Sequence, residues 1–275
     1  MSNHATEIKQ GNRFSFGDNW TRFLTVLNDE RIEEAKSSLK RMLKVESLEG
    51  KTFLDVGSGS GLFSLAARML GAKVYSFDYD PQSVACTNEL RQRYFPGDDC
   101  WNVATGSVLD KDYLSRIGQF DVVYSWGVLH HTGRMWVALG NISPLVKPGG
   151  HLFIAIYNKQ QFISDYWVWV KKLYNKLWQV FKVALNYIFF AFYSLLLLVA
   201  DLLRRRNPAL RYYGIDKRGM TLYYDVVDWI GGWPFEVASP DEIFIFFRDK
   251  NFRLVELVTC GGKHGCNEFV FEAGN

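Results

Sequence analysis

An α/β fold on a doubly wound parallel sheet is predicted by two features of this 275-residue chain. Short apolar runs alternate with helical stretches from Thr52 onward, the pattern of strands joined by crossover helices. The first run, F-L-D-V at Phe53–Val56, feeds a turn with glycines at 57, 59 and 61, and a helix is predicted from Leu62 to Leu70. Glycines there let backbone N–H groups approach a ligand at the helix N-terminus, so the turn is the expected seat of a nucleotide-like cofactor.

The elements follow in order. Strands are predicted at 52–56, 73–78, 101–106, 120–125 and 151–158, with helices between them. The second strand ends at Asp78, 21 positions after Gly57, where an acidic residue accepts hydrogen bonds from ribose hydroxyls. Phe252–Thr259 and Asn267–Glu272 read as two last strands joined by C-G-G-K-H-G-C. Ligands in such sheets lie beyond the carboxyl ends of the strands. One rim should therefore be shared by Ser125–Gly133, the segment after Tyr157, and Cys260–Cys266.

With 48% hydrophobic and 22% charged residues, the chain can bury a full core in one elaborated domain. A net charge of +3 makes no electrostatic case for nucleic acid as the main partner. The cysteines at 86, 100, 260 and 266 form no C-x-x-C pair, so neither a zinc site nor a disulfide framework is expected, and a reducing cytosol fits. Met1–Gln10 is polar, lacks a signal-peptide core, and reads as a frayed terminus.

The turn spaces its glycines as G-x-G-x-G after an acid rather than as G-x-G-x-x-G. Together with Asp78-Tyr79-Asp80-Pro81, Gly106-Ser107, F-D-V-V-Y-S-W-G-V-L-H-H (Phe120–His131) and L-V-K-P-G-G (Leu145–Gly150), it resembles the class I S-adenosylmethionine (SAM) methyltransferases over about residues 50–158. The resemblance implies a seven-stranded Rossmann-like sheet closed by a terminal antiparallel hairpin. It also implies Gly57, Ser58, Gly59 and Gly61 along the methionine and ribose, Asp55 ordering the turn, Asp78 on the ribose, Tyr79 against adenine, and Ser107 and Ser125 in the same site. Ser107 stands where many relatives place an acid.

SAM is an activated methyl donor, so such an enzyme must align a nucleophile and, for a hydroxyl, take its proton. His130 and His131 are the candidate bases, His131 first, because it matches a histidine common in related enzymes. The alternative is that one of them caps the loop or packs on the next helix. Asp225 and Asp228, three apart on one helical face, are further candidates or a solvated pair. The ubiquinone-pathway O-methyltransferases carry an E-x-x-E-H pattern able to hold a cation. Here Gly127, His130 and His131 occupy those positions, and no metal is expected.

Outside the core, Phe14, Phe16 and Trp20 fit either a lid over the cofactor or a staple for the helix ending near Leu43. A hydrophobic helical insertion follows the fifth strand. It holds 18 uncharged residues, Val183–Ala200, or about 27 Å as a helix against roughly 30 Å of bilayer hydrocarbon. Lys171, Lys172, Lys176 and Lys182 precede it, and Arg204, Arg205 and Arg206 follow. Both ends of the insertion must reach one sheet, which excludes a single crossing. Ser164–Lys182 reads as an interfacial helix whose apolar face is Trp167, Val170, Leu173 or Tyr174, Leu177 and Phe181. A helical lid or a homodimer interface in a soluble enzyme is the alternative.

The expected organisation is an N-terminal helical lid (1–48), a SAM-binding core (49–158), the insertion (159–238) and a C-terminal helix and hairpin (239–275). Arg218–Glu236 resembles a stretch in bacterial methyltransferases found among glycan-assembly enzymes. A sugar, glycan or lipid-linked hydroxyl is therefore the leading acceptor, with the protein cytoplasmic and peripheral on the inner face of the membrane through 164–205. A polyprenyl-quinol or phenol is second, and a tRNA base third. A non-catalytic SAM-fold scaffold is disfavoured by the intact glycine turn and Asp78.

Overall fold

The computed structural model describes residues 4–205, 207 and 222–274; the side chains of Gln179, Leu222, Tyr224, Asp225 and Asp228 lie outside that description, as does Arg206. Its strands are β1 (Thr52–Val56), β2 (Lys73–Asp78), β3 (Trp101–Thr105), β4 (Phe120–Trp126), β5 (Val146–Tyr157), β6 (Phe252–Val258) and β7 (Cys266–Ala273). They form one sheet in the order β3-β2-β1-β4-β5-β7-β6. The first five are parallel, while β7 runs antiparallel to β5 and to β6. The doubly wound sheet with its terminal hairpin is thus the observed fold.

Successive strand residues point to opposite faces, and both faces are covered, which is why the strands read as near-continuous apolar runs. Phe53, Val74, Trp101, Val122 and Phe153 pack under α3 (Asp29–Leu43), α4 (Leu62–Met69) and α5 (Pro81–Tyr94). Leu54, Phe77, Val123, Leu152 and Phe271 pack under α6 (Lys111–Ile117), α7 (Met135–Ile142) and the C-terminal helix Pro240–Arg248.

Several predicted boundaries move. β5 starts at Val146, not at 151, because Phe120 pairs with Val146 and Val122 with His151, so Lys147–Gly150 is absorbed as an irregularity within the strand. The N-terminus is not a frayed tail from residue 4: α1 (His4–Lys9) is helical. Phe14, Phe16 and Trp20 do not staple the helix ending at Leu43. They precede or lie on a separate helix, α2 (Gly17–Thr25).

The insertion leaves and rejoins the sheet at one point, where Asn158 bridges Ala238 and Ala238 N–H donates to Tyr157 O at 3.0 Å. It contains α8 (Phe162–Lys176), α9 (Gln179–Leu203) and α10 (Leu222–Gly231); Pro240–Arg248 is then α11. α9 spans 25 residues, about 37 Å at 1.5 Å per residue. Tyr187 and Phe190 meet Tyr223 of α10 at ring distances of 5.6 Å.

α8 is turned differently from the predicted interfacial helix. Tyr174 is buried and Trp167 packs on Trp229, while Phe162, Ile163, Trp169 and Leu173 are exposed. Lys171, expected among the basic flanks, is wholly buried. Its Nζ donates to Trp229 O and lies 4.8 Å from the ring centres of both Trp229 and Phe235. Tertiary packing chose the face because α10 contributes aromatic rings to one side of the helix only.

Candidate functional site

The carboxyl ends of the parallel strands open into a cleft of about 1750 Å³. All three predicted rim segments reach it: Trp126–Val128 with His131 and Thr132, Tyr157 with Tyr166 and Trp167, and His264–Cys266. Asn158 N–H donates to Gly265 O at 2.9 Å and Gln160 Nε2 to Gly262 O at 2.6 Å, joining the second segment to the third.

The glycine turn forms one wall. Gly57 and Gly59 have φ of 78° and 55°, values that favour glycine. A Cβ on Gly57 would stand 2.3 Å from Val128 Cγ1, and one on Gly59 would stand 3.1 Å from the Trp20 indole. The turn is ordered from β2, not by Asp55. Gly57 N–H and Ser58 N–H donate to Phe77 O, and Gly59 N–H donates to Asp78 Oδ2 at 2.9 Å. Asp55 instead accepts from Ser64 Oγ at 2.5 Å, and burial pushes its carboxyl up to about 7. Asp78, whose other oxygen accepts from Asp80 N–H, is held at about 6 for the same reason.

Asp55, Gly57, Ser58, Gly59, Asp78, Tyr79 and Ser107 all line the cleft. Gly61 and Ser125 do not. Gly61 is the left-handed first cap of α4 and packs on Thr87, where an added Cβ would stand 2.8 Å from the backbone. Ser125 is fully buried and donates to Val56 O at 2.9 Å, a strand-to-strand tie beneath the site.

The N-terminal segment covers this wall. Asp80 caps α5 by accepting from Gln82 N–H, and its second oxygen accepts from Gly17 N–H at 3.0 Å. Any Cβ on Gly17 would lie 2.5 Å from that oxygen, so glycine permits the contact. Arg13 donates to Glu7 Oε2 and to His131 O, and its guanidinium lies 4.9 Å from the Tyr79 ring centre. Tyr79 is therefore already packed by Arg13 and, edge-on, by His4. Trp20 over Gly59 and Phe16 beside His131 agree with the lid alternative read from the sequence, whereas sequence reasoning gave Arg13 no role, since nothing local links it to Tyr79 and His131.

The two histidines separate. His131 lines the cleft with Phe16 at a ring distance of 4.9 Å. Its Nδ1 lies 2.6 Å from Pro234 O; a carbonyl only accepts, so Nδ1 carries the proton and Nε2 keeps its lone pair. Burial pushes its pKa down to about 3 despite that hydrogen bond, so the ring is neutral near pH 7. His130 has no exposure and is no part of the cleft wall. It accepts from Tyr157 N–H through Nδ1, packs at a tilt against the Tyr157 ring with ring centres 4.0 Å apart, and is held well below the ordinary imidazole range by burial. The loop is pinned from the insertion by Glu236, whose N–H donates to His130 O and whose carboxylate accepts from Met135 N–H. The side chains of Asp225 and Asp228 lie outside the described residues. His264 lines the cleft beside Trp229, with ring centres 5.2 Å apart.

SAM fits these residues. The backbone turn leaves no room for side chains, Asp78 offers fixed oxygen lone pairs to a ribose diol, and the carboxylates of Asp55, Asp78, Asp80 and Glu268 line the same cleft, which suits a cationic ligand. Residues 54–152 match the methyltransferase domain family. Residues 54–152 form a class I SAM-dependent methyltransferase domain. SAM is its cofactor, and the fold agrees: magnesium protoporphyrin IX methyltransferase from Synechocystis PCC 6803 superposes with a TM-score of 0.55 at 14% identity, covering 94% of each chain. An O-methyltransferase family protein from Burkholderia thailandensis also gives 0.55, at 13% identity, covering 99% of this chain and 68% of that one.

Relatives in sequence include a tRNA U34 carboxymethyltransferase of Methylococcus capsulatus, 36% identical over 125 residues, 44% of this chain and 37% of the relative. A ubiquinone biosynthesis O-methyltransferase of Brucella ovis is 32% identical over 120 residues, 41% of this chain and 43% of the relative. The chain spans less than half the length of these curated relatives.

Proposed function

We propose that the protein is a SAM-dependent O-methyltransferase acting at the cytoplasmic face of a membrane on a hydroxyl of a sugar, glycan or lipid-linked acceptor. The observation that carries the reading is His131, a neutral imidazole that lines the same cleft as the glycine turn and whose Nδ1 proton is committed to Pro234 O. Bound SAM supplies a methyl group on a positively charged sulfur. Gly57–Gly59 and Asp78 hold the donor, Trp20 and Phe16 keep water out, and His131 Nε2 accepts the hydrogen of the acceptor hydroxyl and takes its proton as the oxygen is methylated.

Membrane contact is supported by α9. From Val180 to Leu203 its mean hydropathy is 2.2 and 6% of the tested window is buried, so it is no core helix. Lys172, Lys176, Arg204 and Arg205 are exposed near its ends, where they suit anionic headgroups. A nucleic-acid acceptor is disfavoured: the cleft presents Glu7, Glu34, Asp55, Asp78, Asp80, Asp110, Asp112 and Glu268 against Arg13, Arg31, Arg41, Lys111 and Arg134, whereas phosphates require an excess of cations. A polyprenyl-quinol is the second reading, favoured by the apolar α9 wall and by the similarity to a ubiquinone-pathway enzyme.

The test is methyl transfer from labelled SAM into a membrane-lipid extract and, in parallel, into a soluble metabolite extract. Label in an alkali-stable methyl ether of the lipid fraction is the expected result. Label confined to the soluble fraction overturns the membrane-acceptor reading.

A further inference from the structure

We infer that the cleft continues into a trough for the acceptor's hydrocarbon chain, and that the chain slides in sideways from the bilayer past Phe192 and Leu196 of α9. This rests on the membrane-surface reading above and specifies the substrate class of the same site: a hydroxyl-bearing amphiphile with an extended apolar tail. Room is the first argument. A cleft of about 1750 Å³ exceeds the roughly 300–1,000 Å³ that encloses one small ligand, so a cofactor leaves space for a second, elongated molecule.

The chemistry of the wall changes along its length. The cofactor end is lined by backbone amides and carboxylates, whereas α9 contributes Phe189, Phe192, Tyr193, Leu196 and Leu197, faced by Val226 and Ile230 of α10. A sugar laid on that wall would find the Tyr193 hydroxyl as its one polar side-chain partner among these residues and leave most of its hydroxyls unpaired, while a hydrocarbon loses water contact at no such cost. The stripe Phe189, Phe192, Tyr193, Leu196 follows the i, i+3, i+4, i+7 spacing of one helical face.

The two neighbouring faces of α9 decide the direction of access. On one side Asn186 is buried and accepts from Tyr174 OH at 2.9 Å, fixing the helix to α8. On the other, Ile188, Leu195 and Leu202, seven apart, point outward and are each at least half exposed. Phe192 and Leu196 line the cleft and are nevertheless 59% and 50% exposed. They form the edge shared by the cleft and the outward apolar surface, and no polar side chain of α9 divides the two. A tail lying in lipid against Leu195 therefore reaches the trough without crossing water, while its hydroxyl end meets His131 and the glycine turn.

The test uses the full chain and a sixteen-carbon alcohol carrying a terminal diazirine, given in vesicles of phosphatidylglycerol and phosphatidylcholine and, separately, in detergent micelles. Photo-crosslinks are mapped by mass spectrometry. Wild type should float with the vesicles and carry label within Phe189–Leu197, displaced by unlabelled hexadecanol and not by glucose. Leu197→Trp fills the trough and leaves the outward face alone, so it should float as before, bind SAM as before by calorimetry, and lose label in the trough by at least about tenfold. Should this variant fail to fold, Phe189→Trp serves the same purpose. Ile188→Glu with Leu195→Glu should stop flotation while trough labelling in micelles persists. A filled-trough variant labelled like wild type, or displacement by glucose as effective as by hexadecanol, overturns the trough. Wild-type protein that does not float sinks the membrane reading instead, and the micelle experiment still decides the trough.

Discussion

Asp55→Asn should remove most of the pH dependence of SAM binding. Asp55 is 2% exposed, lines the cleft and stands at about 7 because burial penalises its charge. A cationic cofactor favours the carboxylate, returning it toward an ordinary value near 4. About one free site in eleven is then ionised at pH 6 and about ten in eleven at pH 8, so affinity should rise about tenfold over that range. Asp78, at about 6, adds about twofold. Asn keeps the acceptor for Ser64 Oγ and cannot ionise, so the variant should retain only the twofold contribution of Asp78. Calorimetric titration at pH 6, 7 and 8, in two buffers of different ionisation enthalpy, reads both the affinity and the release of up to about one proton per site.

The sign for stability is opposite. A carboxyl with a raised folded pKa binds protons more tightly folded than unfolded, so ligand-free stability falls as pH rises from about 4 through 7, by at most about 4 kcal/mol for Asp55. Urea unfolding at pH 5 and pH 8 should show that fall in wild type and a smaller one in Asp55→Asn. Wild-type SAM affinity flat between pH 6 and 8, or an Asn variant as steep as wild type, refutes the reasoning.

His131→Ala should lower the single-turnover rate by about 10²–10⁴ with SAM affinity nearly intact, whereas His130→Ala should act mainly through thermal stability, because His130 is buried behind the cleft. Full turnover in the His131 variant would remove it as base and direct attention to His264. Asp78→Ala should weaken SAM by about 1.5–3 kcal/mol through lost charged hydrogen bonds, as read by calorimetry; unchanged affinity would contradict the ribose assignment. Gly57→Ala should be worse for SAM binding than Gly59→Ala, because the first Cβ strikes Val128 at 2.3 Å and the second meets Trp20 at 3.1 Å; equal affinities in the two variants would count against a backbone cradle.

The sequence by itself determined the strand–turn–helix carrying Gly57, Gly59 and Asp78. Those features are local: a strand period, a turn that needs positive φ, and an acid at the end of the neighbouring strand all lie in one continuous stretch. It also showed the uncharged run Val183–Ala200, which lies within one helix, Gln179–Leu203, whereas the interfacial helix expected over Ser164–Lys182 is broken after Lys176. Tertiary structure alone decided which side chains face the cleft. Gly61 and Ser125 belong to the right motifs and turn away, because a helix cap and a strand tie claim them. Asp55 serves Ser64 and leaves the turn to Phe77 O and Asp78, since order in the turn comes from β2 pairing beside it. Lys171 reads as a headgroup anchor and is buried among Trp167, Trp229 and Phe235, because α10 returns across α8. His130 and His131 are adjacent in sequence with the same intrinsic chemistry. Their roles part because Nδ1 of His131 donates to Pro234 O while Nδ1 of His130 accepts from Tyr157 N–H, so the two rings are held in opposite tautomers by distant segments, and contacts over such separations leave no periodic or local trace in a sequence.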